Sequence, residues 1–119
     1  MSRFRVQPVV RPYVKDSTSP ALVMYVRDDG SNLVTLSGLI YFFMYNPKTK
    51  VAKISAAAVI ADPDQVANKG KCTYQWLTGE LDTVGSWYCR LRFGTAEWSE
   101  GFTVPVENPA DGQQVRYTT

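Results

Sequence analysis

The sequence predicts an all-β domain, a sandwich or barrel of about seven short, mainly antiparallel strands. Three observations predict it. Apolar and polar residues alternate with a period of two along several segments. Turn-forming Gly, Pro, Asn and Asp recur at roughly 8–14-residue intervals. No segment carries both the start and the stop signals of a helix. At 119 residues the chain has the size of one domain, and such a chain buries roughly two-thirds of its unfolded surface.

The elements follow in chain order. Residues 1–14 place Pro8 and Pro12 among alternating apolar positions. Proline cannot donate to a ladder, so this stretch is expected as an edge strand or an extended arm. Residues 15–20 are a polar turn, and residues 21–27 (ALVMYVR) form a short strand closed by a tight loop at Asp28, Asp29, Gly30, Ser31 and Asn32. The strongest strand is residues 37–45 (SGLIYFFMY), whose unbroken apolar run calls for burial on both faces, or on one face with a partner on the other. Residues 46–50 form the next turn. Residues 51–62 contain an alanine-rich run that is helical by propensity, yet Pro63 stops it and no capping box opens it, so it is expected as strand.

Residues 62–70 are a polar turn ending in Gly70, and two clearly alternating strands follow. In residues 71–76 (KCTYQW), Cys72, Tyr74 and Trp76 share a face. In residues 86–93 (SWYCRLRF), Trp87, Cys89, Leu91 and Phe93 lie opposite Tyr88, Arg90 and Arg92. If these strands pair as a hairpin, Cys72 falls nearer Leu91 and Cys89 nearer Tyr74. The cysteines would then be diagonal neighbours, beyond the Cβ separation of about 4 Å that a disulfide needs. Two free, buried thiols are therefore expected, as in a reducing compartment. A last strand at 96–106 closes the set, and the polar residues beyond form a tail or second arm.

Chemistry is harder to find. The chain has no histidine, so it lacks the commonest general base and transition-metal ligand. Two cysteines without histidine make no zinc site, and the glycines are scattered at turns rather than grouped in a phosphate loop. The carboxylates at Asp28/Asp29, Asp62/Asp64 and Glu80/Asp82 fall in turns, where such groups usually bond their own backbone. No catalytic residue, metal site or cofactor is expected. With 13 basic against 11 acidic residues the charge is too balanced for nucleic acid. Local clusters at Arg3, Arg5 and Arg11, and at Arg90 and Arg92, read as an arm and a solvated strand face. No run reaches the roughly 18 apolar residues of a membrane span, and residues 1–15 lack the apolar core of a secretory leader; the expectation is a soluble product made in the cytoplasm.

The aromatics are the remaining signal. Trp76, Trp87, Tyr74, Phe42 and Phe93 read as core. Tyr41, Phe43 and Tyr45 alternate onto the opposite face of their strand, where they either meet a partner or are absorbed by packing. With Trp98 they are the candidate partner-contact residues.

From Gly70 onward the residues fall into a pattern. Gly70, Lys71, Tyr74 and Trp76 have the spacing G-K-x-x-Y-x-W, and Asp82, Thr83, Gly85 and Trp87 follow as D-T-x-G-x-W. Upstream, LVTLSGLIYF at 33–42 and the strand at 51–61 complete the order; downstream, EGFTVPV at 100–106 closes it. This pattern resembles the immunoglobulin-like N-terminal domain of tailed-bacteriophage baseplate upper proteins, and stand-alone virion proteins built on that module. The resemblance covers residues 15–107, flanked by arms at 1–14 and 108–119. It implies an immunoglobulin-like antiparallel β-sandwich of about seven strands. Two departures stand out: Trp87 replaces the family's tyrosine, whose hydroxyl anchors a tyrosine corner, and the hairpin near Gly94 is short.

The resemblance also implies a role: a structural component of a phage particle, in the tail or baseplate or as a neck or head decoration, made in the host cytoplasm and resident in the virion. Its partners would be other phage structural proteins and further copies of itself in an oligomer or ring, with no nucleic acid and no membrane. The alternative is a carbohydrate- or host-surface-binding module that uses Trp98 or the Tyr41, Phe43, Tyr45 stripe as its platform.

Overall fold

The computed structural model describes residues 4–9 and 12–108. It contains nine strands and, among the described residues, no helix: β1 (Phe4–Pro8), β2 (Tyr13–Val14), β3 (Leu22–Asp28), β4 (Ile40–Tyr45), β5 (Ala52–Ala61), β6 (Lys71–Tyr74), β7 (Gly85–Phe93), β8 (Glu97–Trp98) and β9 (Phe102–Glu107). They form one curled mixed sheet in the order β1-β3-β6-β5-β4-β7-β9-β2, with β8 added to the end of β7. Among the described residues nine strands form rather than about seven. The expected strand at 96–106 splits into β8 and β9, and the proline-bearing N-terminal segment contributes two short edge strands. Nor is the sheet wholly antiparallel, because β2 runs parallel to β9.

Phe4–Pro8 lies antiparallel along β3, and the Phe4 carbonyl accepts a hydrogen bond from the Glu100 N–H (2.9 Å). Proline is tolerated at Pro8 because β1 is an edge strand. The C-terminal arm expected at 108–119 lies outside the described residues apart from Asn108, as do Arg3 and Arg11 of the N-terminal basic cluster.

The alanine-rich segment is a strand, and the longest one. Its first part pairs with β4, and its last two residues, Ile60 and Ala61, pair with β6. Within the part paired to β4 the register shifts at a bulge, where Ala56 adopts φ 53°. A bulge bends and twists the strand that carries it; past it Ala57, Ala58 and Val59 still pair with β4, and the change to β6 comes at Ile60.

This change of partner overturns the hairpin expected between residues 71–76 and 86–93. β6 pairs with β3 and β5, while β7 pairs with β4, β8 and β9. The chain between Tyr74 and Gly85 therefore crosses from one half of the sheet to the other. Period-two alternation correctly placed the inward faces but carries no information about which strand is the neighbour. Cys72 and Cys89 are free and fully buried. Burial pushes the Cys72 thiol up to about 12 and raises that of Cys89 as well.

The curl brings the inward rows together. Phe42 of β4 stacks on Tyr74 of β6 with ring centroids 4.6 Å apart, and Trp76 sets its edge against both at 5.8 and 5.3 Å. Leu22, Met24, Met44, Leu91 and Val104 fill in around them with no exposure beyond 1%. Each such side chain contributes about 1.5–3 kcal/mol by leaving water. The Tyr74 hydroxyl donates to the Glu80 carboxylate (2.7 Å), and burial together with that anion raises its pKa.

The expected turns also hold. Asp28 accepts from the Gly30 and Asn32 N–H groups, and Asp64 from those of Val66 and Ala67. At Trp87, the indole N–H donates to the Thr83 carbonyl four residues upstream (3.1 Å).

A candidate partner-contact face

The outward face of the β5-β4-β7 region is where the candidate residues gather. On β4 the inward residues are Ile40, Phe42 and Met44, so alternation sends Tyr41, Phe43 and Tyr45 out. Register places Arg92 beside Tyr41, Arg90 beside Phe43 and Tyr88 beside Tyr45. On β8, Trp98 pairs with Arg92. All four sequence-predicted residues, Tyr41, Phe43, Tyr45 and Trp98, therefore occupy one face.

They are interleaved with cations. Phe43 lies 4.9 Å from Trp98 and runs nearly parallel to Tyr45 (6.3 Å, 7°), and Tyr45 continues to Tyr88 at 6.5 Å. The Arg90 guanidinium sits 4.2 Å over the Trp98 ring. That of Arg92 spans Tyr41 (4.9 Å), Phe43 (5.2 Å) and Trp98 (5.6 Å). A guanidinium on an aromatic face gains about 0.5–1 kcal/mol where exposed, and more where water is excluded. These contacts restrain the arginine side chains, so ordering them in any further contact would cost less entropy.

Two sequence-level readings change here. Phe43 points outward but is only 6% exposed, because Trp98 and Arg92 cover it. Arg90 and Arg92 are half-buried members of the face, not a freely solvated row. Their position opposite Trp87, Cys89 and Leu91 was legible; their stacking was not, since it depends on β8 folding back across β7 at Gly94. Tyr88 was missed for the same reason. It is 40% exposed, and its ring covers Gly101, where a side chain would meet it. An aromatic ring laid over a strand-flanking glycine supplies the apolar cover the glycine lacks.

The face has no acid–base constellation. Of the carboxylates singled out in the sequence, Asp28, Asp62 and Asp64 accept from turn N–H groups, Glu80 accepts from the Tyr74 hydroxyl and the Leu77 N–H, and Asp82 meets Lys53 (2.7 Å) and Thr83, which together hold its carboxyl below the usual range. Among the described residues, no three His, Cys, Asp or Glu side chains come together as metal ligands, and no helix is long and apolar enough to cross a membrane. No protein-family model matches the chain, and no curated protein sequence matches it.

Proposed function

We propose that the chain is an immunoglobulin-like β-sandwich domain that serves as a structural component of a bacteriophage particle, in the tail or baseplate or as a neck or head decoration. It acts through contacts with other virion proteins and with copies of itself. The observation that carries the binding role is the aromatic–arginine face on β4, β7 and β8. Tyrosine, tryptophan and arginine dominate the energetics of protein interfaces, and here they form one preordered layer.

Several features support the immunoglobulin-like reading of the curled sheet. One edge strand runs parallel to the last strand, β5 contributes to both halves, and Trp87 makes a corner bond two residues before Cys89. The phage assignment draws on the motif order from residue 33 to 106. Against a glycan platform, the Trp98 ring carries Arg90 at 4.2 Å and so offers no free face there for a sugar to stack on.

The test is particle assembly with Tyr45→Ala and Tyr88→Ala chains, which remove face residues from outside the core. If the face docks a neighbour, each truncation costs about 2 kcal/mol of binding, roughly a 30-fold loss. Incorporation into particles should fall in both, while the thermal midpoint of the free domain holds for Tyr45→Ala and drops for Tyr88→Ala only by the little that uncovering Gly101 costs. Wild-type incorporation by both variants would refute the reading.

A further inference from the structure

On the rim of the aromatic face lies a cleft of about 360 Å³, lined by Tyr45, Asn46, Pro47, Lys50, Tyr88 and Arg90. We propose that this cleft receives a carboxylate, the side chain of an aspartate or glutamate presented by the partner protein. The inference rests on the protein-contact reading above and adds the partner's chemistry to it.

Charge is the first argument. Among the described residues the ion pairs are Arg5 with Glu100, Lys15 with Asp16 and Lys53 with Asp82. Lys50 and Arg90 thus line one cleft with no acid to neutralise either. Arg90 also makes no hydrogen bond among the described residues, yet its guanidinium is held over Trp98. Stacking fixes the plane of the fork and leaves its N–H edge for an acceptor, and a fixed fork is suited to two parallel bonds to a carboxylate.

The turn is the second. Asn46 builds it: its side-chain oxygen accepts from the Lys48 and Thr49 N–H groups, and its carbonyl from that of Lys50 (2.8 Å). The turn holds Lys50 at φ 62°, a left-handed conformation that glycine or asparagine adopts more cheaply. A lysine kept there sets an ammonium on the cleft wall at a conformational cost. Asn46 has its amide nitrogen left over, making no hydrogen bond among the described residues, and so can supply a neutral donor beside the two cations.

The walls are the third. Tyr45 and Tyr88 stand 6.5 Å apart between centroids and screen the cations from water on one side, which strengthens a charge-assisted bond. The cleft volume is at the low end of ligand pockets and suits one side chain. Two cations in one half-open cleft match a single carboxylate, whereas a nucleic-acid backbone calls for a stripe of them.

The probe is N-acetylglutamate N-methylamide, titrated into the 15N-labelled domain with N-acetylglutamine N-methylamide as its uncharged twin. Affinity for one carboxylate is expected near 1–10 mM, about 3–4 kcal/mol. Saturable shifts should centre on Tyr45, Lys50, Tyr88 and the Arg90 side-chain N–H, and be absent with the twin. Arg90→Gln should weaken binding about tenfold. Lys50→Asn, which keeps a residue at ease in the turn, should weaken it as well if the fold is untouched. No saturable shift, an equal response to the twin, shifts spread over all the basic residues, or a stronger response to inorganic phosphate or a single-stranded oligonucleotide would each overturn the proposal. The titration uses the isolated domain, so its result stands apart from particle incorporation.

Discussion

Gly70→Ala should be among the more damaging single-methyl insertions in this protein. Gly70 is buried at φ 80°, and a Cβ there would lie 2.8 Å from the Val26 carbonyl oxygen and 3.1 Å from Leu33 Cδ2. The left-handed conformation costs an L-residue about 1–2 kcal/mol, of which about 0.4–1 kcal/mol is returned because alanine stiffens the unfolded chain. The carbonyl cannot step aside freely. It accepts from the Val34 N–H (3.1 Å), and the Val26 N–H donates to the Gly70 carbonyl (2.9 Å). Losing one of these bonds adds about 1 kcal/mol, and residual overlap adds more. The sum is about 2–4 kcal/mol, a large part of the stability of an ordinary domain. Gly38 provides the control, because it has nearly the same φ (76°) and nothing within 4 Å of a Cβ. Gly38→Ala should cost at most about 1 kcal/mol, the backbone share alone. Urea unfolding, with m unchanged, measures both. If the two variants lose the same stability, the close approach at Gly70 does not constrain the fold and the reasoning fails.

Alkaline pH should unfold the domain cooperatively. The Cys72, Cys89 and Tyr74 pKa values are all raised in the fold, from ordinary values near 9.0, 9.0 and 10.0, chiefly by burial and for Tyr74 also by Glu80. Each contribution is complete below its unfolded value and is lost as pH rises from there toward the folded value. Thermal midpoints should therefore hold below about pH 8.5 and fall above it, with slopes on the order of 1.4 kcal/mol per pH unit for each group engaged; a flat profile to pH 11 would contradict the burial. Trp87→Phe removes the donor to Thr83 and some core volume, and should lower stability by about 2 kcal/mol in chemical denaturation. A loss under 0.5 kcal/mol would mean that the indole bond anchors nothing.

How far the sequence carries can be followed residue by residue. The inward rows Cys72–Tyr74–Trp76 and Trp87–Cys89–Leu91 were legible because each strand has one buried face, and a period of two follows directly. The alanine-rich β5 was legible only through its flanks, since its own propensity is helical. Its two-sided pairing was not, because nothing in the local pattern marks Ile60 as the point where β4 gives way to β6. Strand partners were likewise hidden: β6 and β7 have matching patterns yet sit in different halves of the sheet. On the candidate face, Tyr41, Phe43 and Tyr45 were found by alternation. The arginines that stack on them were read as solvent-facing, since a guanidinium's neighbours depend on register across strands, which no local pattern records. Lys50 gave no signal at all, because a left-handed lysine looks in sequence like any other turn lysine.

The ten-residue strand that turns the corner also bears on how the molecule comes apart. It forms rungs with β4 from Ala52 to Val59 and with β6 at Ile60 and Ala61, so neither half can fray without loosening the other. That shared spine makes independent melting of the two halves costly and favours a single all-or-none transition. On the proposed reading, load applied by a neighbour at the aromatic layer would thereby be spread to strands far from that face.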